Sequence, residues 1–314
     1  MHKRKIQFVG GTTYTVSLPK DWIVKNNLKE KELLYIYENN DRSLLISPKV
    51  NKERMNEKIV VDADKYSNIA DILFTIYYMG FEEIEIKSNM LSKKIKKQIR
   101  KTLVSMSGTE IVFENEKKIR INVLLDKSKI RIPELLYRVV LILEMSISNI
   151  LGDIDKQELD INEREIDRLY HLMTKMLSMS LVDTNILHST KIKNIIKIPY
   201  FFLINKKLET IGDELVRFSR YLPDESETQT YRDILIILKE ELNRAVSYLL
   251  TDKKELFEKI NEEEYQSINK LMSKVDEKTR YLFLKDIMRH TIDIQEAIVK
   301  LSYYKTTNRK FDHI

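Results

Sequence analysis

Cysteine is missing from this 314-residue sequence, glycine and proline occur only six and five times, and tryptophan once. Without cysteine there are no disulfides, thiolate metal sites, iron–sulfur clusters or thiol nucleophile, which is compatible with a reducing compartment. With so few helix breakers, and 43% hydrophobic against 32% charged residues, the composition is that of a folded, helix-rich chain. No stretch approaches the roughly 18 uninterrupted apolar residues of a membrane span. The basic start, Met1 to Lys5, runs into alternating strand residues and not into the apolar core of a signal peptide. Also lacking are a glycine-rich phosphate loop, a histidine pair at i, i+4 spacing and any nucleophile–base constellation. The expectation is a soluble cytoplasmic protein without enzymatic activity. At this length two or three domains are expected.

Charge is what the sequence has in quantity. Its 54 basic and 48 acidic residues leave a net +6, which alone is a weak pointer to nucleic acid. Position says more. Lys3, Arg4 and Lys5 stand together without an acid. A second run, Lys93, Lys94, Lys96, Lys97, Arg100 and Lys101, lies on a helical pattern whose apolar face is Leu91, Ile95, Ile99 and Leu103. The plainest reading of that run is a solvated helix surface.

In residues 1–50, Ile6, Phe8 and Val9 precede Gly10-Gly11, and Tyr14, Val16 and Leu18 then alternate with Thr15 and Ser17. This predicts a half-buried strand pair around a glycine turn. Pro19 suits the first turn of a short helix holding Asp21 to Val24. Strands over Leu33–Tyr37 and Leu44–Ile46 follow, with Asn39-Asn40-Asp41 as their turn. So short a unit cannot bury enough surface alone, and an intertwined homodimer is expected. Lys5-Ile6-Gln7, Gly11, Thr15-Val16-Ser17-Leu18-Pro19-Lys20, Leu28 and Leu44-Leu45-Ile46-Ser47-Pro48 carry a resemblance to the SpoVT/AbrB family of swapped-hairpin DNA-binding domains. One departure is Lys31-Glu32, where that family usually has Gly-Asp. The resemblance implies a dimeric head that meets DNA through Lys3, Arg4, Lys5 and Lys20. A head that only dimerises, or binds a protein partner, is the alternative.

Residues 52–128 read as β-α-β-α-β-β, a small α+β domain in two layers, with Gly80 and Gly108 as helix caps. Their role is not legible, and a spacer or dimer-stabilising part is the default. From 130 to 306 apolar residues recur at helical intervals, first as Leu135, Leu136, Val139, Leu143, Ile147 and Ile150. Helices are expected at about 156 into the 180s, 191–222, 229–251, 254–274 and 277–305, with a loop at Pro223 to Ser226. The segment Ile161-Asn162-Glu163-Arg164-Glu165 recurs as Ile260-Asn261-Glu262-Glu263-Glu264, 99 residues on. Leu136, Leu143, Leu151 and Asp153 map by the same offset onto Leu235, Leu242, Leu250 and Asp252. The fold class expected is multidomain and mainly α: a small β-rich head, an α+β middle and two related three-helix bundles, 130–222 and 229–306.

Glu163 and Asp167 lie four apart on one helix face, and Glu209 and Asp213 repeat the spacing on the next helix. Like charges so placed repel, and a cation between two such pairs would relieve them. A solvated acidic face paired with Arg164, Arg168 or Arg217 is the other reading. The surrounding segments, Ile161 to Leu169 and Leu208 to Glu214, resemble the two acidic Glu-x-x-x-Asp motifs of PhoU proteins, as does the doubled body. The resemblance implies iron or zinc held by Glu163, Asp167, Glu209 and Asp213. A weaker second site would use Glu262 and Asp293, where Gln266 and Arg289 replace two of the acids. His171, four residues beyond Asp167, could extend the first site or be an ordinary packed histidine.

An AbrB-like head on a PhoU-like body resembles an archaeal-type phosphate uptake regulator. The implied function is negative control of phosphate acquisition and homeostasis through DNA, with a phosphate ABC transporter component or a signalling protein as partner. Two alternatives stay open: a PhoU-type adaptor that does not bind DNA, and a metal-storage or metal-responsive bundle without a link to phosphate.

Overall fold

The computed structural model describes residues 3–38, 44–48, 58–222, 229–275 and 278–307. These fall into two compact units, one up to residue 48 and one from residue 58 onward. The chain is mainly helical, with ten α-helices among the described residues. No helix among them is long and apolar enough to cross a membrane.

In the first unit β1 (Gln7–Val9) pairs antiparallel with β2 (Thr13–Thr15), setting Phe8 opposite Tyr14. Gly10 and Gly11, at φ 66° and 76°, make the left-handed turn that a side chain resists. Pro19 leads into α1 (Lys20–Lys25), and its carbonyl accepts from Trp22 N and Ile23 N. β3 (Tyr35–Glu38) pairs antiparallel with β4 (Leu44–Ser47), Ile36 facing Ile46. The turn expected at Asn39-Asn40-Asp41 lies outside the described residues, as does the boundary near residue 51. Lys31 has φ 69°, a left-handed position that favours glycine, so the departure from Gly-Asp costs about 1 kcal/mol of strain.

The second unit opens with β5 (Lys58–Asp62), α2 (Ile69–Met79), β6 (Glu83–Lys87), α3 (Lys93–Val104), β7 (Thr109–Glu114) and β8 (Lys118–Val123). The sheet order is β5-β6-β8-β7; β5 and β6 are parallel, joined by α2 as crossover, and the other pairs are antiparallel. Strand alternation sends Val61, Ile84, Ile86, Ile119 and Ile121 to the helical face, where they pack with Leu73, Tyr77 and Ile99. The α2 helix starts on the Asn68 side chain, which accepts from Ala70 N, and ends on Gly80 at φ 92°.

Six long helices make up the rest: α4 (Ile132–Leu151), α5 (Lys156–Ser180), α7 (Ile198–Ser219), α8 (Gln229–Ser247), α9 (Glu262–Met272) and α10 (Lys278–Thr307), with the short α6 (Thr184–Ser189) between α5 and α7. The α2 helix packs on α5, across the boundary expected near residue 129. Lys175 of α5, fully buried there, donates to Tyr77 O at 2.8 Å and lies 4.4 Å from the Tyr77 ring centroid. Burial pushes its ammonium down to about 7.

The α4 helix lies against α8, and α7 against α10, so corresponding helices of the two repeats meet. Asn243 donates to its own counterpart, Glu144, at 2.6 Å. Two elements differ from expectation. The helix expected from 191 begins only at Ile198, and 254–261 is not helical ahead of α9. The second difference has a visible cause. Side chains of α10 hold the backbone of that segment: Phe257 N donates to Ser302 Oγ at 3.0 Å, and Ile260 N to Gln295 Oε1 at 3.0 Å. Asn261 and Glu264 then form a capping box that starts the helix afresh. The loop expected at Pro223 to Ser226 lies outside the described residues.

Candidate functional site

Three of the four expected acids meet. Glu163, Asp167 and Asp213, all half-buried, each offer a carboxylate oxygen within 4.8 Å of the others. The sequence builds this locally. Asp155 caps α5, accepting from Gln157 N at 2.8 Å and Glu158 N at 3.2 Å, and helical spacing stacks Glu163 below Asp167. On α7 the residue before Asp213 is Gly212, where an added Cβ would come within 3.1 Å of Ile166 Cδ1. A glycine there lets the two helices approach closely enough to join the acids.

Electrostatics record the crowding. Burial first, then Glu163, Asp213 and Glu209, push the Asp167 carboxyl up to about 7. Burial, then Asp213 and Asp160, also raise Glu163. Glu209 stands outside the group of three and is held by Lys206 Nζ at 2.6 Å and Thr210 Oγ1 at 3.2 Å. The Lys206–Glu209 spacing is legible in the sequence as an i, i+3 pair. The alternative arginine partners are partly used elsewhere: Arg168 binds Glu165 at 2.7 Å, while Arg217 sits 2.8 Å from Glu214 and 3.7 Å from Asp213. His171 does not join. It stacks on Phe74 with centroids 3.9 Å apart, its Nδ1 meets the Tyr78 hydroxyl, and burial pushes it down to about 4.

In the second repeat the structure gives each expected residue another partner. Glu262 accepts from Gln266 Nε2 at 2.7 Å, Asp293 pairs with Lys207 at 2.7 Å, and Arg289 with Asp286 at 3.2 Å. Glu262 and Asp293 both line an open groove of about 1060 Å³ between α8, α9 and α10. The corresponding α5 and α7 are packed together, so the paired acids of the first repeat have no equivalent geometry here.

The second candidate is the head. Lys3, Arg4 and Lys5 are exposed on the extended segment leading into β1, and Lys20 is exposed in the first turn of α1. Apolar residues accompany them at the surface: Leu33 is 80% exposed, Tyr14 73% and Ile36 63%, and no described residue of the head is buried. Residues 7–54 match the family described as antidote-toxin recognition MazE, bacterial antitoxin. The N-terminal unit is a MazE/AbrB-like domain. The match takes in Lys20 and begins just after Lys3, Arg4 and Lys5. No curated protein and no solved structure matches the chain. A MazE/AbrB-like head is compatible with DNA binding and with dimerisation.

Proposed function

We propose that this chain is a DNA-binding transcriptional regulator of phosphate uptake, with a MazE/AbrB-like head that reads DNA and a PhoU-like body that senses. The match over residues 7–54, flanked by exposed basic side chains, is the observation that carries the DNA half. Cations on such a domain neutralise phosphates, which supplies affinity and salt dependence but little sequence information. The doubled three-helix arrangement, with facing acids on α5 and α7, supports the PhoU half and, with it, a phosphate transporter component or signalling protein as partner. The donor set at Glu163, Asp167 and Asp213 is carboxylate oxygen alone. That suits a hard or borderline cation, iron or zinc being the ions the PhoU reading implies. Glu209 would complete the site by exchanging Lys206 for the metal.

The Arg4→Ala, Lys5→Ala double variant tests the DNA half. In fluorescence anisotropy across a salt series its slope of log K against log [salt] should be shallower than wild type by about 2 for each head that meets the duplex, since each phosphate contact contributes roughly 0.9. An unchanged slope would remove both residues from the interface. The matched family's description speaks of recognising a toxin, and this favours one second reading. The head would then dock a protein partner, and the chain would act as an adaptor without touching DNA.

A further inference from the structure

We propose that α3 is a second DNA-contacting surface, a sequence-independent phosphate clamp in a unit separate from the head; this rests on the reading of the head as DNA-binding. Lys93, Lys97 and Lys101 stand at i, i+4 and i+8 along one exposed line of the helix, with Lys94 beside it. The line runs about 12 Å, over which one DNA strand carries roughly three to four phosphates. Among the described residues none of these four lysines has a carboxylate partner.

Several other cations of this domain are paired with acids. Lys96 and Arg100 of the same helix share Glu114, at 3.3 and 2.7 Å. Behind the sheet, Lys58, Lys87 and Lys118 converge on Glu85 at 2.7, 3.2 and 3.1 Å. Acids are therefore available to this domain and are placed elsewhere. The unpaired lysines also oppose their own helix. Two sit in its first turn, which has no acidic residue, where the helix dipole favours an anion. The i, i+4 lysine pairs repel one another as well. The helix forms because Ser92 caps it, accepting from Ile95 N at 3.2 Å, and because Ile99 is buried. A phosphate backbone along the line would relieve both the dipole and the repulsion.

The test is the full-length Lys93→Gln, Lys94→Gln, Lys97→Gln, Lys101→Gln variant, titrated by anisotropy with a labelled promoter duplex and with an unrelated duplex. The salt slope should become shallower on both duplexes by about 3–4 for each protomer whose α3 meets the duplex, because each phosphate contributes roughly 0.9, while the affinity ratio between them holds. The matching four-fold Lys→Arg variant should keep the wild-type slope. Circular dichroism should show the glutamine variant folded with a Tm equal to or above wild type. Wild type that binds duplex while the glutamine variant keeps its slope overturns the α3 surface alone. Wild type that binds no duplex at low salt overturns the head's reading first. If anionic phospholipid vesicles lose binding in the variant while its DNA slope is unchanged, the surface faces a membrane and the proposal fails.

Discussion

On the proposed reading of the head, Phe8→Asp together with Ile36→Asp should weaken DNA binding at least 100-fold, and sedimentation should show a monomer where wild type is a dimer. No described residue of the head is buried, and on its hairpins Phe8 is 59% and Ile36 63% exposed. A domain of about 50 residues buries too small a share of its surface to be stable alone. A second copy covering these residues would contribute about 2 kcal/mol per side chain, counted once in each copy by symmetry. Removing two such positions therefore costs several kcal/mol, which is the stated loss. The helical unit should keep its far-UV helical signal, because neither residue belongs to it. A double variant that stays dimeric and binds DNA as before would show that the head's apolar residues are covered some other way.

Asp167→Asn should raise the stability of the metal-free protein and, at the proposed metal site, abolish stabilisation by added iron(II). The sign follows from linkage. The native carboxyl titrates near 7 and its unfolded counterpart near 4, so between those values the folded state holds the extra proton and loses stability as pH rises. Below about pH 4 wild type and variant should be equally stable. At pH 7 and above the variant should lead by about 1–2 kcal/mol, a figure discounted because the carboxyl is partly solvated. Thermal melts at pH 4 and pH 8 check this directly, with a gain of roughly 2–6 °C expected at the upper pH. Iron(II) at a hundred times its Kd would stabilise wild type by about 2.7 kcal/mol, and the variant should show no such rise. Affinity for the ion should strengthen from pH 6 to 8 as Asp167 gives up its proton. A variant less stable than wild type at pH 8, in metal-free buffer, would contradict the crowded-acid picture.

The elements that could be read from the sequence are those set by local periodicity. The β-α-β-α-β-β order, the Asn68 and Gly80 ends of α2, and α4 with its Leu136-Val139-Leu143-Ile147 stripe all follow from alternation, helical spacing and capping residues. The acids on α5 and α7 were legible because i, i+4 spacing fixes a face. That Asp213 reaches Glu163 and Asp167 while Glu209 turns to Lys206 depends on how two helices cross, and only Gly212 hints at it. What remained hidden is tertiary. The repeat carries Glu163 onto Glu262, but Gln295 and Ser302 of α10 capture the backbone ahead of it and shorten the helix. Nothing near Lys175 in sequence tells that its ammonium is buried against Tyr77, ninety-eight residues earlier. His171 is similar: its spacing from Asp167 suggests a ligand, whereas Phe74 and Tyr78, far away in the chain, hold it.

DNA recognition by the head is tested most directly by anisotropy of wild-type full-length protein with a labelled phosphate-transport promoter duplex, run across a salt series with unrelated DNA as competitor. Binding that prefers the promoter and weakens steeply as salt rises is the expected result. A folded dimer that binds neither duplex at low salt would contradict it, and would leave the head as a protein-docking module.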